Sequence, residues 1–314
     1  MNDKVTVVTV TYNAKELLEE TILSVINQSY DNIEYIIIDG GSTDGTIDII
    51  KKYEDKIDYW MSEPDEGIYF AMNKAIEEAT GKWINFMNAG DTFFDIDTVE
   101  NVMQQKDAQA ELIYGNFQVK ESGAVKKAWD QSQWHFHMPF CHQTLFTLTS
   151  IMKKELFDTS FRLAADHNFI LKMYEQKKVF FYIDKTLAIF DLGGFAESNK
   201  FLMRIESLKI LLDHKVSQCE INQSYWYKMF YMDICSEKTN QIDDLKKEIK
   251  NKDEIIQIQE DQSKQLSALQ DAIQRITHYS IWRYPIKKYK KYKTMLVTYS
   301  KIKNSPEGDK VENK

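Results

Sequence analysis

Two carboxylates each come shortly after a run of residues typical of a buried strand. Asp39 directly follows Ile36-Ile37-Ile38, and Asp91 follows Ile84-Asn85-Phe86-Met87 after three intervening residues. In an open α/β sheet, ligands bind in the crevice beyond the carboxyl ends of the strands. Two acids delivered there by two strands predict the floor of a site for a polar, metal-bound ligand.

The elements that must position these acids alternate between strand and helix patterns over the first ninety residues. Residues of high β-propensity predict strands, and apolar residues at helical period predict helices. The predicted strands cover residues 4–11, 33–39, 57–61 and 83–87. The predicted helices cover residues 14–27, 44–53 and 66–80, with Ser42 or Asp44 as the N-cap of the second and Gly81 closing the third. This alternation predicts an α/β fold with a mostly parallel central sheet and right-handed crossovers.

After Asp91 the pattern is looser. The predicted elements are helices over residues 98–105 and 166–176 and strands over residues 111–114, 145–148 and 179–183. The chain then reads as helical to about residue 235. We therefore divide it into an α/β domain (1–195), a helical extension (196–238), a coiled coil (239–277) and a basic amphipathic tail (278–314).

A heptad seam with several polar positions runs through residues 242–276. It predicts a short coiled coil and, through it, a homo-oligomer. The alternative is a single solvated helix packed on the domain.

The tail carries eight lysines and arginines and no acid between Tyr279 and Lys303, with tyrosines and aliphatic residues sharing one stripe. This pattern predicts that residues 278–303 bind an anionic membrane surface. The alternative is a solvated tail or a basic docking face for an acidic partner.

The overall composition narrows the class of protein. The formal net charge of −8 argues against nucleic acid as a general partner. The three cysteines lack metal-type spacing and predict a reducing compartment. Since no signal peptide precedes the strand that begins by Val5 and no apolar run could span a bilayer, we expect a cytoplasmic protein, peripheral at the inner face of the plasma membrane.

The glycine spacing from Gly40 to Gly45 is that of a nucleotide-triphosphate loop. However, Thr46 stands where that loop needs its lysine, and the dinucleotide fingerprint Gly-x-Gly-x-x-Gly is absent. Both phosphate-binding loops are thus excluded, and the carboxylate pair remains.

Several ordered motifs over about residues 4–195 resemble the inverting nucleotide-sugar transferases of glycosyltransferase family 2, and most closely the members that build bacterial surface polysaccharides. The motifs are Val10-Thr11-Tyr12-Asn13, Asp39-Gly40-Gly41-Ser42-Thr43-Asp44-Gly45-Thr46, Ser62-Glu63-Pro64-Asp65-Glu66-Gly67-Ile68-Tyr69, Ala71-Met72-Asn73-Lys74-Ala75, Asn88-Ala89-Gly90-Asp91, Tyr114-Gly115-Asn116, Cys141-His142-Gln143, Ala165-Asp166 and Gly193-Gly194. The resemblance implies a single GT-A-like nucleotide-binding domain.

The resemblance also implies how the donor is bound. Asp39 would accept a hydrogen bond from the imide N–H of a uracil or thymine, in a pocket lined by Thr11 and Tyr12. The alternative is that Asp39, at the end of its strand, caps the next helix. The other residues that the motifs assign to the nucleotide-sugar donor are Asn13, Gly41, Asp65, Gly67, Asn73, Lys74, Asn88 and Gly90.

Asp91 would ligate the Mg²⁺ or Mn²⁺ ion that bridges the two phosphates of the donor, because hard cations bind carboxylate oxygens and stabilise the departing diphosphate. The family's usual motif has two acids here, whereas this chain has Asn88 and Gly90 before Asp91. One carboxylate with phosphate and water oxygens can still hold such an ion. The alternative for Asp91 is the N-cap of a following turn.

By the same resemblance Asp166 would be the general base, placed opposite the leaving diphosphate to take the proton of the acceptor hydroxyl. The alternative is an ordinary helix N-cap. His142 is expected near the acceptor or the diphosphate, or as a structural residue, and Cys141 as a small buried filler. Trp129, Trp134 and Phe136 could stack on the acceptor or belong to the core.

Together these residues predict a metal-dependent inverting transferase that adds a sugar from a UDP- or dTDP-sugar to a lipid-linked glycan acceptor. Two alternatives stay open. A sugar-nucleotide nucleotidyltransferase would need a glycine- and arginine-rich loop that residues 9–13 lack, and a catalytically degenerate domain would act only as a coiled-coil scaffold.

Overall fold

The computed structural model describes residues 2–134, 138–191 and 199–232, and within them nine strands form one sheet. The strands are β1 (Val5–Thr11), β2 (Ile33–Asp39), β3 (Tyr59–Ser62), β4 (Trp83–Phe86), β5 (Thr92–Phe93), β6 (Leu112–Val119), β7 (Val125–Lys126), β8 (Phe146–Leu148) and β9 (Phe180–Phe190). Their order in the sheet is β3-β2-β1-β4-β8-β6-β9-β5, and β7 pairs with β6.

The half of the sheet made by β3, β2, β1 and β4 is parallel. The carboxyl ends of these four strands therefore meet at one edge, where Asp39 ends β2 and the turn after β4 carries Asp91. The two acids are not on neighbouring strands, because β1 lies between β2 and β4. Thr11, the last residue of β1, pairs with Asp39.

The prediction of a mostly parallel sheet is wrong beyond β4. Strand β8 pairs antiparallel with both β4 and β6, and β5 pairs antiparallel with β9. Only β6 and β9 are parallel in this half. The sheet is mixed, because the chain after Asp91 returns to β4 from the opposite direction.

The helices in the described residues are α1 (Lys15–Ile26), α2 (Thr46–Lys52), α3 (Ile68–Glu78), α4 (Thr98–Gln105), α5 (Thr149–Lys154), α6 (Ala165–Glu175), α7 (Lys200–Asp213) and α8 (Gln218–Gln223). Two of them, α1 and α3, pack on the parallel half of the sheet. Leu18, Ile22 and Val25 of α1 share a core cluster with Val5 and Val7 of β1. Helix α3 contacts β1 and β2 through a second apolar stripe. All seven residues of β1 are consequently buried.

Two predicted helix ends differ from the structure. Helix α3 ends at Glu78, and Gly81 lies beyond it, where an added Cβ would lie 2.6 Å from the backbone nitrogen of Thr6. Gly81 therefore permits a close approach to β1. Helix α2 has Gly45 as its N-cap residue at φ +100°, although Asp44 accepts a 3.0 Å hydrogen bond from the N–H of Thr46.

Trp134 belongs to the core and cannot stack on a ligand. It is fully buried among the rings of Tyr114, Phe140, Tyr174 and Phe180. By contrast, Trp129 is half exposed.

Several predictions fall outside the described residues: Phe136, the Gly193-Gly194 motif, the domain boundary at 195, the coiled coil and the basic tail. Among the residues that the structure describes, no helix combines the length and apolar character needed to cross a membrane.

Candidate active site at the carboxyl edge of the parallel strands

Asp39 is fully buried, and its carboxylate organises the turn after β2. Its Oδ2 atom accepts hydrogen bonds from the backbone N–H groups of Gly41 at 3.1 Å and Ser42 at 2.9 Å, and from Ser62 Oγ at 2.6 Å. Its Oδ1 atom accepts the hydroxyl of Ser42. The carboxylate thus shapes this turn, and Oδ1, with this one protein donor, retains acceptor capacity.

The residues predicted to line the base pocket lie around this turn. Tyr12 is 66% exposed, whereas Thr11 is buried and its Oγ1 atom has no hydrogen-bond partner in the described structure. A Cβ added at Gly40 would lie 2.9 Å from Asp65 Oδ2 and 3.4 Å from the Tyr12 ring. Tyr12, Gly40 and Asp65 therefore converge on one point of the surface.

The glycines of the motifs allow backbone that other residues rarely adopt. Gly41 has φ +82° and packs against Pro64, and Gly67 has φ +147° and donates its N–H to Asp65 Oδ1 at 2.9 Å. Asn13, at φ +48°, accepts the N–H of Thr43 at 2.9 Å. These residues hold the loops after β1, β2 and β3 together, which is a structural role.

Two of the predicted donor contacts are already engaged with protein. The amide of Asn73 donates to the backbone oxygen of Phe157 at 2.9 Å and accepts its N–H at 3.0 Å. Lys74 Nζ lies 2.5 Å from Glu63 Oε1. In this structure Asn73 therefore joins α3 to the chain before α6, and Lys74 pairs with the loop that carries Asp65.

Asp91 is buried, and both of its carboxylate oxygens accept hydrogen bonds. Oδ1 accepts the backbone N–H of Asp191 at 3.0 Å, and Oδ2 accepts the side-chain amide of Gln143. Burial raises the pKa of Asp91 to about 6, although these bonds and nearby His142 partly offset the increase. The carboxylate is fixed in orientation and is not a helix N-cap.

The turn before Asp91 is tied to α1. Gly90, at φ +104°, donates its N–H to Thr21 Oγ1 at 3.0 Å, and the Thr21 hydroxyl donates to the backbone oxygen of Asp91 at 2.7 Å. The carboxylate of Asp191 faces the open side of Gly90, 3.8 Å from where a Cβ would be. A glycine at position 90 therefore leaves space between Asp91 and the end of β9.

A chain of hydrogen bonds joins this turn to Asp166. Asn88 Nδ2 lies 2.9 Å from His142 Nε2, and His142 Nδ1 lies 3.2 Å from Asp166 Oδ2. Tyr69 donates its hydroxyl to Asp166 Oδ1 at 3.0 Å. The short 3₁₀ turn His142–Thr144 precedes β8, which pairs with β4, so the mixed half of the sheet brings His142 beside the turn after β4.

Asp166 is the second residue of α6 and is not its N-cap, which is Ala164. Burial by itself would raise the pKa of Asp166, but hydrogen bonds from His142, Tyr69 and the His167 N–H outweigh it, and the pKa lies below its ordinary value. Asp166 is therefore ionised at neutral pH and can accept a proton. Cys141 is partly buried, and desolvation raises the pKa of its thiol well above the ordinary value.

Sequence reasoning missed three residues that contact the site. Gln143 and Tyr69 stand within the quoted motifs but received no role, and Asp191 immediately precedes an undescribed segment. For Gln143 the available signal was its place one residue after His142. For Asp191 the structure provides the only signal, since a hundred residues separate it from Asp91.

Comparison with known protein families decides what kind of site this is. The model of the family described as "Glycosyl transferase family 2" matches residues 6–179. The chain belongs to glycosyltransferase family 2. The predicted resemblance is confirmed, the protein is a transferase, and the nucleotidyltransferase alternative is not supported.

Two curated relatives show how similar this family 2 glycosyltransferase is to known members. It is 26% identical over 212 residues to a PGL/p-HBAD biosynthesis glycosyltransferase of Mycobacterium tuberculosis, and the alignment covers 62% of this chain and 81% of the relative. It is 41% identical over 90 residues to TuaG of Bacillus subtilis, which is named for teichuronic acid biosynthesis. That alignment covers 28% of this chain and 36% of the relative.

Solved structures show the same fold at low identity. The mannosyltransferase PcManGT of Pyrobaculum calidifontis, in complex with GDP-Man and Mn²⁺, is 16% identical with a TM-score of 0.60 over 90% of this chain and 85% of that chain. S. aureus TarS 1–349 in complex with UDP-GlcNAc is 17% identical with a TM-score of 0.56 over 73% and 71%. These similarities identify a GT-A-like α/β domain.

The fold implies a divalent cation, and the residues at the turn after β4 fit one. Asp91 supplies a hard carboxylate, and Asn88 supplies a buried Oδ1 atom that has no hydrogen-bond partner in the described structure. Both are oxygen ligands of the kind that Mg²⁺ and Mn²⁺ prefer. No group of three or more His, Cys, Asp or Glu side chains suited to a metal occurs in the described part of the chain, so substrate and water oxygens would complete the coordination.

Proposed function

We propose that this family 2 enzyme transfers one sugar from a UDP- or dTDP-sugar to a lipid-linked glycan acceptor, with inversion at the anomeric carbon, in bacterial surface polysaccharide synthesis. The observation that carries the proposal is the bonded series Asn88–His142–Asp166, which joins the turn of Asp91 to an ionised carboxylate. By similarity, the UDP-GlcNAc complex of TarS supports a UDP-sugar donor, and the teichuronic acid pathway for which TuaG is named supports the polysaccharide class.

In the proposed reaction Asp166 Oδ accepts the proton of the acceptor hydroxyl as its oxygen attacks the anomeric carbon. The bond from that carbon to the diphosphate oxygen breaks, and its electron pair leaves with the nucleoside diphosphate. Inversion follows because the attacking and leaving oxygens are on opposite faces of the sugar. His142 and Tyr69 hold Asp166 in place for this step.

Asp91, with Asn88 Oδ1, would hold the Mg²⁺ or Mn²⁺ ion, which stabilises negative charge on the departing diphosphate. Gln143 and the N–H of Asp191 fix the Asp91 carboxylate so that it is oriented before the donor arrives.

For the base of the donor we retain Asp39, whose Oδ1 atom keeps acceptor capacity for an imide N–H. Thr11, whose hydroxyl has no partner in the described structure, pairs with Asp39 in the sheet, and the exposed ring of Tyr12 comes directly after Thr11 in the chain. The converging carboxylate of Asp65 would contact the same nucleoside.

The location at the inner face of the plasma membrane, the homo-oligomer through residues 242–276 and the binding of residues 278–303 to anionic lipid are proposals that rest on sequence pattern. Flotation of the full chain with anionic and neutral liposomes tests the last one. Equal flotation with both would contradict it.

The function itself is tested with a donor panel. UDP- or dTDP-sugars with Mn²⁺ should raise the melting temperature, since a ligand that binds only the folded state stabilises it. The same donor should be hydrolysed slowly without acceptor. Asp166→Asn should keep the thermal shift and lose turnover by about 10²- to 10⁴-fold, the usual contribution of a general base.

Two other outcomes have distinct meanings. Binding without turnover in the natural chain would favour the scaffold alternative. If no nucleotide at millimolar concentration changes the melting temperature, the proposed function is wrong.

A further inference from the structure

Glu206 is a fully buried carboxylate in α7, outside the residues that match the family model. Its two oxygens accept backbone N–H groups of three consecutive residues. Arg162 donates to Oε1 at 3.0 Å and to Oε2 at 3.1 Å, and Oε2 also accepts Leu163 at 2.9 Å and Ala164 at 3.0 Å.

These three residues immediately precede α6, the helix that carries Asp166. The first N–H groups of a helix lack partners within it and are usually capped by the side chain of the N-cap residue. Here the N-cap is Ala164, which has no such side chain. Glu206 lies on a different helix and accepts the N–H of Ala164 together with those of the two residues before it, which places its carboxylate at the N-terminus of α6, where the helix dipole favours negative charge.

Because it is buried, a carboxylate is a costly group with which to hold the start of a helix. Desolvation raises the pKa of Glu206, although the three N–H groups and Lys209 partly offset it. A buried charge is weak evidence for stability, because an apolar replacement is often as stable. The position of the bonds points to another purpose.

The first turn of α6 lies between two sets of contacts. Glu206 holds the backbone just before the helix, and Asp166 contacts His142 and Tyr69 from within its first turn. The distance from His142 Nδ1 to Asp166 Oδ2 is 3.2 Å, the upper limit of an ordinary hydrogen bond. A small shift of α6 would therefore break it.

We propose that Glu206 is a positioning residue for Asp166: it fixes the start of α6 so that the carboxylate meets His142 and faces the acceptor. The inference rests on the proposed function for its catalytic consequence, but its geometric part stands without it. It makes the helical segment after β9 part of the active site.

The test compares Glu206→Gln with Glu34→Gln in the full chain. Glu34 is a matched control, because it is also buried and also accepts backbone N–H groups, from Thr80 at 2.7 Å and Gly81 at 3.3 Å. It stands near the start of β2, at the end of that strand opposite Asp39. In each variant one carboxylate oxygen becomes an NH₂ group that cannot accept an N–H.

Three quantities are measured: the melting temperature, the ¹⁵N resonances of the His142 ring (identified with His142→Gln), and kcat and KM for hydrolysis of the donor found in the panel. We expect both variants to lower the melting temperature. Only Glu206→Gln should move the His142 resonances toward those of Asp166→Asn and lower kcat by roughly 10- to 100-fold, with KM within about threefold, as a misplaced catalytic group would.

The proposal is overturned if Glu206→Gln and Glu34→Gln have similar melting temperatures while Glu206→Gln leaves the His142 resonances and kcat unchanged. If Glu206→Gln does not fold, Glu206→Asp, which keeps the charge on a shorter side chain, should show the same changes to a smaller extent. If neither folds, Glu206 serves the stability of the domain and the proposal is wrong. If the natural chain turns over no donor, the proposed function fails, while the His142 resonances still decide whether Glu206 positions Asp166.

Discussion

Asn88 Nδ2 lies 2.9 Å from His142 Nε2, and this contact fixes how the imidazole meets Asp166. Nδ1 of the same ring faces the Asp166 carboxylate, which can only accept a hydrogen bond when ionised. In the neutral ring Nδ1 therefore carries the proton and Nε2 accepts the Asn88 amide. An ionised acid at position 88 could not donate to Nε2.

His142→Gln is expected to lower kcat for donor hydrolysis by about 10²-fold, because Asp166 loses its main side-chain donor and its orientation. The Kd of the donor with Mn²⁺ should stay within about twofold. His214→Gln is the control: His214 also contacts α6, 2.9 Å from Asn168 Oδ1, but at no residue of the site. A kcat equal to that of the control would show that His142 is structural.

Gln143→Leu should weaken Mn²⁺ binding by roughly 10-fold, as the loss of a residue that orients a metal ligand usually does. The reason is that Gln143 donates its amide to Asp91 Oδ2 and is itself only 2% exposed. Calorimetric titration of Mn²⁺ in the presence of UDP measures the change. An unchanged Kd in a folded variant would mean that Asp91 needs no such support.

Mn²⁺ binding should weaken as the pH falls through about 6, the pKa to which burial raises the metal-free Asp91 carboxyl. Below that pH the carboxyl is protonated and must release a proton to bind the ion, so affinity should fall about tenfold for each further pH unit. Titrations between pH 5 and 8 measure this. A Kd independent of pH over the range would contradict the role of Asp91.

The same pKa has a consequence for stability without metal. Because the folded pKa of Asp91 is raised, its contribution to the free energy of unfolding is greatest in acid and is lost as the pH rises through about 6. In urea unfolding without metal, the free energy of unfolding of the natural chain relative to that of Asp91→Asn should decrease as the pH rises through about 6.

The sequence was sufficient for the parallel half of the sheet and for the acids at its edge. Strand β2 has its predicted bounds, and Asp39 and the turn of Asp91 lie at the carboxyl edge, because residues of high β-propensity alternate with helical patterns there. Parallel topology then fixes which strand ends meet.

The mixed half depended on contacts between distant residues. The strand predicted to end at 183 continues past its polar middle to Phe190, because its second half pairs with β6 and with β5. The antiparallel direction of β8, which delivers His142, leaves no local pattern. Glu206 likewise reads as an ordinary helix residue until the fold brings it to the start of α6.

The most direct test of the account is calorimetric titration of UDP into the natural chain and into Asp91→Asn, with and without Mn²⁺, at pH 7.5. The account predicts that Mn²⁺ tightens UDP binding at least tenfold in the natural chain and has no effect in Asp91→Asn, while the metal-free Kd is similar in both. Equal tightening in both proteins, or no UDP binding by the natural chain, would contradict it.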